Sequence, residues 1–152
     1  MAGFLFENDV VCVKCTNFLT AVADADYLPA SGSFIDMAGI DHGVFLIGMG
    51  TLDTATTFTV KQDTSATVTG NVKGLTNAAA QLVAALDDDK WLTIEFNANQ
   101  LDRAGGFRYV TLKADGPAAG DDYACVFFLG FKNGKTPVSK ATNYAYHVAV
   151  VG

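Results

Sequence analysis

Residues 56–62 read TTFTVKQ, and along an extended chain Phe58 and Val60 fall on one side while Thr57, Thr59 and Lys61 fall on the other. This two-residue period recurs down the chain, and few folds can use it. WLTIEF (91–96) repeats it with Leu92, Ile94 and Phe96 on the inward side. FRYVTLKA (107–114) sets Val110 and Leu112 against Phe107, Tyr109 and Thr111. VVCVKC (10–15), YACVFFL (123–129) and YAYHVAVV (144–151) are short and β-branched or aromatic, and VFLIGM (44–49) is a continuous apolar run of the kind buried on both faces. Turn signals separate these runs: LDTA, DTSATVTGN, DDDK, RAGG, DGPAAGDD and KNGK, the last with the Asn-Gly pair of a type I′ hairpin. One segment, NAAAQLVAAL (77–86), reads equally as a three-turn alanine-rich helix or as a short edge strand. Many short strands with glycine-rich turns bury their faces only as two packed sheets. The expected fold is all-β: an antiparallel β-sandwich, jelly-roll-like, of about seven to nine strands with at most one short helix.

At 152 residues the chain is one domain's worth, and half of it is apolar, enough for a core without disulfides or metal. Residues 34–152 read as the sandwich and 1–33 as an N-terminal arm or edge segment with a loop at ADADYLPASGS. Sixteen acids against ten bases give a net charge of -6, which disfavours binding to nucleic-acid backbones. No run of about eighteen apolar residues predicts a membrane span. MAGFLFENDVV lacks the basic and apolar regions of a signal peptide, and three cysteines is an odd number; both predict synthesis in a reducing cytoplasm.

Reactive residues occur, but without the partners their chemistry needs. Cys12 and Cys15 form CVKC, yet in a strand these positions face opposite ways, and zinc needs two further ligands. His42 and His147 stand in separate segments, and no GxSxG elbow accompanies them. Asp87–Asp88–Asp89 and Asp121–Asp122 supply oxygens that suit calcium, but without EF-hand spacing; a solvated turn is the simpler expectation. The stretch LDRAGGFRYVTLKA (101–114) holds Asp102 and Arg103 beside a double glycine. With no second acid in sequence, it reads as a turn: Leu101 inward, Gly105 and Gly106 with positive φ, and Phe107 opening a strand in which Arg108 reaches water or a carboxylate. These readings predict no catalytic residue, cofactor or metal.

The order of features resembles a group of small proteins encoded among the head genes of tailed bacteriophages. An apolar strand and turn (GVFLIGMGTLDTATTFTVKQDTS), an acid-rich turn and strand (DDDKWLTIEFNANQLD), then GGFRYVTLKA and a small-residue strand ending in LG (YACVFFLG) carry the resemblance over residues 43–130. It implies a virion structural protein on the capsid surface: a decoration, or cement, protein that adds contacts to the major capsid protein and self-associates, with a trimer favoured by analogy. Under that expectation Phe4, Leu5 and Phe6 in MAGFLF are the partner contacts, unless the segment pairs as an edge strand of its own domain. Two rival readings stand beside it. FRYVTLKA also resembles the corresponding strand of galactose-binding-like domains, which makes Trp91, Tyr123, Tyr144 and Tyr146 candidates for sugar stacking, although a strand tryptophan is more often core. A tail or head-completion role is the other.

Overall fold

A computed structural model describes residues 9–16, 20–24, 26–52, 54–82, 86–116, 123–132 and 144–149, with backbone alone at 20, 81, 82, 123 and 144–149. The described residues form eleven strands: β1 (Val10–Lys14), β2 (Thr20–Ala21), β3 (Tyr27–Leu28), β4 (Ile35–Asp36), β5 (His42–Met49), β6 (Thr56–Asp63), β7 (Lys73–Leu82), β8 (Trp91–Asn97), β9 (Tyr109–Asp115), β10 (Tyr123–Phe131) and β11 (Tyr144–Ala149). Two short 3₁₀ turns, Ala98–Gln100 and Arg103–Gly105, follow β8. One sheet runs β1-β10-β5-β8-β11 with β2 on the end of β10; the other runs β3-β9-β6-β7 with β4 on β9. Every pairing is antiparallel except β8 with β11, which is parallel.

Two interleaved Greek keys account for this order. Counting β3 and β4 as one interrupted strand, and leaving out β2 and β11, the strands lie in the order first, eighth, third, sixth in one sheet and second, seventh, fourth, fifth in the other. That is the jelly roll expected from the sequence.

The alternation places the core between the sheets. Phe45, Ile47, Leu92, Ile94, Phe96, Val126 and Phe128 point in from the six-stranded sheet; Phe58, Val60, Val110, Leu112 and Ala114 point in from the other. Three of these rings form an aromatic cluster, with Phe45 5.2 Å from Phe128 edge-on and 6.2 Å from Phe96 in a stacked pose. Gly43 makes room for it, because a Cβ there would lie 2.6 Å from Phe96 Cζ and 2.9 Å from Phe128 Cε2. The described residues ahead of position 34 pack with the sandwich: β1 closes one edge, β3 pairs β9, and Val22 and Leu28 enter the core.

Through Leu82 the alanine-rich segment is an edge strand, not a helix. In β7, Leu75, Ala78 and Ala80 are buried while Thr76 and Ala79 are exposed, so pairing with β6 overrides the helical preference of alanine. The period slips once: Thr59 faces Ala79 but Lys61 faces Gly74, and Asn77 takes a φ of 60° in the resulting bulge. One finer expectation changes. The strand after the double glycine begins at Tyr109, not Phe107. Thr111, set by the alternation opposite Val110 and Leu112, is fully buried too, because the chain between β3 and β4 covers it and Pro29 O accepts from its hydroxyl at 3.4 Å.

Candidate functional site

The two sheets differ on their outer faces. Outward positions of the five-stranded sheet include Thr57, Thr59 and Lys61 on β6 and Tyr109, Lys113 and Asp115 on β9, a wettable mixture in which Lys113 pairs with Asp115. Asp115 accordingly raises the lysine's affinity for its proton. The six-stranded sheet turns apolar side chains outward. Strand register lays Cys12, Leu129 and Val44 in one row, Phe127 and Leu46 in the next, and Cys125, Gly48 and Trp91 in a third. Val10, Val44 and Phe131, with Leu129 against them, make a cluster separate from the main core. Leu46, Leu129, Cys125 and Trp91 are half-buried and Cys12 is exposed. Among the side chains described, Lys14, Thr93 and Glu95 are the polar ones in these rows.

Trp91 belongs to this outer face, the side the alternation of WLTIEF gives it, and not to the core where a strand tryptophan more often lies. Its ring lies over Gly48, where a Cβ would meet Trp91 Cζ3 at 2.9 Å and Cys125 Sγ at 2.8 Å. A half-buried ring loses less on truncation than a core ring. Trp91→Ala is therefore expected to cost about 1–2 kcal/mol, below the ~3–5 kcal/mol of a buried tryptophan. Urea unfolding followed by circular dichroism checks this, and a loss above that range returns the ring to the core.

A second feature lies where β5 begins and β8 ends. The register pairs His42 with Asn97, which brings Asp41 beside the 3₁₀ turn Ala98–Gln100. His42 is buried, and its Nδ1 lies 3.1 Å from Asn97 Oδ1. That oxygen only accepts, so Nδ1 carries the proton and the Asn97 amide is held with its NH₂ group turned from the ring. His42 Nε2 then makes no hydrogen bond among the described residues and stands 3.7 Å from Glu95 Oε2. Leu101 plugs the core below the loop that follows. Asp102 organises it: its N–H donates to Gln62 Oε1 at 2.9 Å, and its Oδ1 accepts from Gly105 N at 3.0 Å. Lys73 pairs with the same carboxylate and rides 4.1 Å above the Phe107 ring. Lys73, then the Gly105 N–H, hold the Asp102 carboxyl below the usual carboxylate range.

This loop is largely the turn expected from LDRAGGF. Positive φ is confined to Gly106, at 80°. Gly105 needs its missing side chain for another reason, since a Cβ would sit 2.8 Å from Asp102 Oδ2. Arg108 extends from the loop rather than along a strand face; it reaches the Asp36 carboxylate at 2.6 Å and stacks on Tyr109. Arg103 separates two shallow grooves. One, of about 500 Å³, is lined by Asp41, Asn97, Ala98, Asn99 and Leu101; the other, of about 230 Å³, by Leu101, Gly106, Phe107 and Arg108. Sequence reading missed Asp41, Asn97 and Asn99. Asp41 lies more than fifty residues ahead of Asn97, at the end of β8, and of Asn99, in the turn after it, and they meet only through the β5–β8 register.

The remaining candidates scatter. Cys12 is exposed on the outer face, whereas Cys15 packs against the core and burial pushes its thiol up to about 12, so CVKC forms no chelate. Asp87 pairs with Lys90 at 3.5 Å, and Asp88 Oδ1 accepts from Leu52 N at 3.0 Å. Among the described residues no three His, Cys, Asp or Glu side chains converge as a metal site. Phe4, Leu5, Phe6, Asp121 and Asp122, and the side chains of Tyr123, Tyr144, Tyr146 and His147, lie outside the described residues. No family model, curated protein or solved structure matches the chain.

Proposed function

We propose that the chain is a virion structural protein, a non-catalytic capsid decoration protein that binds the major capsid shell through the outer face of its six-stranded sheet. The apolar rows on that face carry the reading. A sheet face carrying Val44, Leu46, Leu129 and Trp91 gains by leaving water, at about 25 cal/mol for each Å² buried, and the wettable opposite sheet has no such drive. Stable interfaces bury about 800 Å² per partner, a demand one face of a six-stranded sheet can meet. The jelly roll is compatible, being common to viral capsid and lectin domains, although fold alone does not decide function. The resemblance of residues 43–130 to phage head-gene proteins adds the virion as the place and the major capsid protein as the partner. Self-association, in a trimer where capsomers meet, follows from the same analogy.

Phe4, Leu5 and Phe6 stand a few residues ahead of Val10 in sequence, and Val10 sits on this face, so these three are the proposed further contacts. The test is co-sedimentation with capsids stripped of the protein. Leu46→Lys combined with Leu129→Lys is expected to abolish binding while the far-ultraviolet circular dichroism spectrum stays unchanged, and deletion of residues 1–6 is expected to weaken it. Full binding by the correctly folded double variant would rule out this face as the contact.

A further inference from the structure

We infer that the groove lined by Asp41, Asn97, Asn99, Leu101 and Arg103 is a binding site for a neutral saccharide, separate from the apolar sheet face. Its polar groups alternate in kind. The Arg103 guanidinium and the Asn97 NH₂ donate, the Asn99 amide both donates and accepts, and Asp41 brings a carboxylate to the lining. The carboxylate and the guanidinium cancel in charge, so the groove does not favour an anion or a cation; vicinal hydroxyls, each donor and acceptor at once, match it. Leu101 and Ala98 add apolar wall for the C–H face of a sugar ring.

Two polar groups are set in place before a ligand arrives. Arg103 Nε donates to Ala98 O at 3.2 Å, which pins the guanidinium while leaving its terminal nitrogens for other partners. Buried His42 holds the Asn97 oxygen, which leaves the amide NH₂ to donate. Groups ordered in advance lose less entropy on binding. At about 500 Å³ the groove is within the usual range for small ligands, and Arg103 also borders the smaller groove beside Phe107, so a second sugar unit has a place to extend.

The test is an amide-resolved NMR titration of the whole chain with the methyl glycosides of glucose, galactose, mannose and N-acetylglucosamine, with sodium acetate and phosphate as anion probes. At least one glycoside is expected to give saturable shifts at residues 97–106 with a Kd of about 1 mM or tighter. Arg103→Ala and Asn99→Ala, both at exposed positions, are each expected to weaken that binding about tenfold without moving the urea midpoint. A panel in which no glycoside saturates overturns the assignment. So does saturation by acetate or phosphate alone, which marks an anion site, or glycoside binding that survives both substitutions. Capsid binding through the sheet face is measured independently, and neither result decides the other.

Discussion

Phe128→Ala is expected to destabilise the domain by about 3–5 kcal/mol. The side chain is fully buried, and its ring packs 5.2 Å from Phe45 and 6.4 Å from Phe96 at the centre of the sandwich. Its surroundings are shaped for a ring. A Cβ at Gly43 would fall 2.9 Å from Phe128 Cε2, and one at Gly130 would fall 3.0 Å from Cε1. Two glycines flank the ring, Gly43 on the neighbouring β5 and Gly130 on β10 itself, so neither position offers a side chain to fill the space a truncation leaves. The strands are held by ladders on both sides, β10 lying between β1 and β5, so the backbone cannot collapse into it either. Lost transfer energy and an unfilled cavity then add. Against a total stability of about 5–15 kcal/mol this is a large share, equivalent to a fall in Tm of roughly 6–20 °C. Urea unfolding followed by circular dichroism measures it; a loss under about 1 kcal/mol contradicts the described core.

Asp63→Ala is expected to cost about 2–4 kcal/mol, through hydrogen bonds rather than packed volume. Asp63 ends β6 with its side chain fully buried. Oδ1 accepts from Thr64 N at 2.6 Å and from the Thr69 hydroxyl at 2.7 Å, and Oδ2 accepts from Thr69 N at 2.8 Å. The carboxylate thereby closes the loop from Thr64 to Thr69. That loop in turn holds the chain between β3 and β4, where Phe34 N donates to Ala66 O and Val68 N donates to Ser31 O. Removing the carboxylate strands its donors and loosens both loops.

The same site gives a pH dependence. Burial alone pushes the Asp63 carboxyl up, but the Thr69 hydroxyl and the N–H groups of Thr69, Thr64 and Ser65 outweigh it, and the net effect holds it below its ordinary value. A carboxyl depressed in the folded state stabilises the fold above the unfolded value near 3.9, and that contribution is lost as pH falls through the lower, folded value. The wild-type chain is expected to lose stability at the acid end of the range below about pH 4 more steeply than Asp63→Ala does. Parallel acid slopes for the two proteins contradict this role.

Strand positions were legible because alternation in TTFTVKQ, WLTIEF and YACVFFL is a direct consequence of burying one face. Where that face lies is less so. VFLIGM is apolar at every position, and sequence alone cannot separate Phe45 and Ile47, which are core, from Leu46, which is on the outer face. Alternation in WLTIEF sets Trp91 opposite Leu92, Ile94 and Phe96, but the glycine one strand away that seats its ring on the outer face lies beyond any local pattern. In β7 the alanines were ambiguous because their propensity and their pairing disagree, and the pairing lies across the sheet. The groove was illegible in principle: Asp41 and Asn99 become neighbours through a β5–β8 register that no local pattern encodes.

The central claim is that this chain coats a capsid shell, and copy number tests it most directly. Particles from the genome that encodes the chain are purified, and the chain is quantified against the major capsid protein by calibrated mass spectrometry. The decoration reading expects hundreds of copies per particle, in fixed ratio to the shell protein. A handful of copies contradicts it and points to a tail or head-completion role, and absence from the particle removes the virion reading altogether.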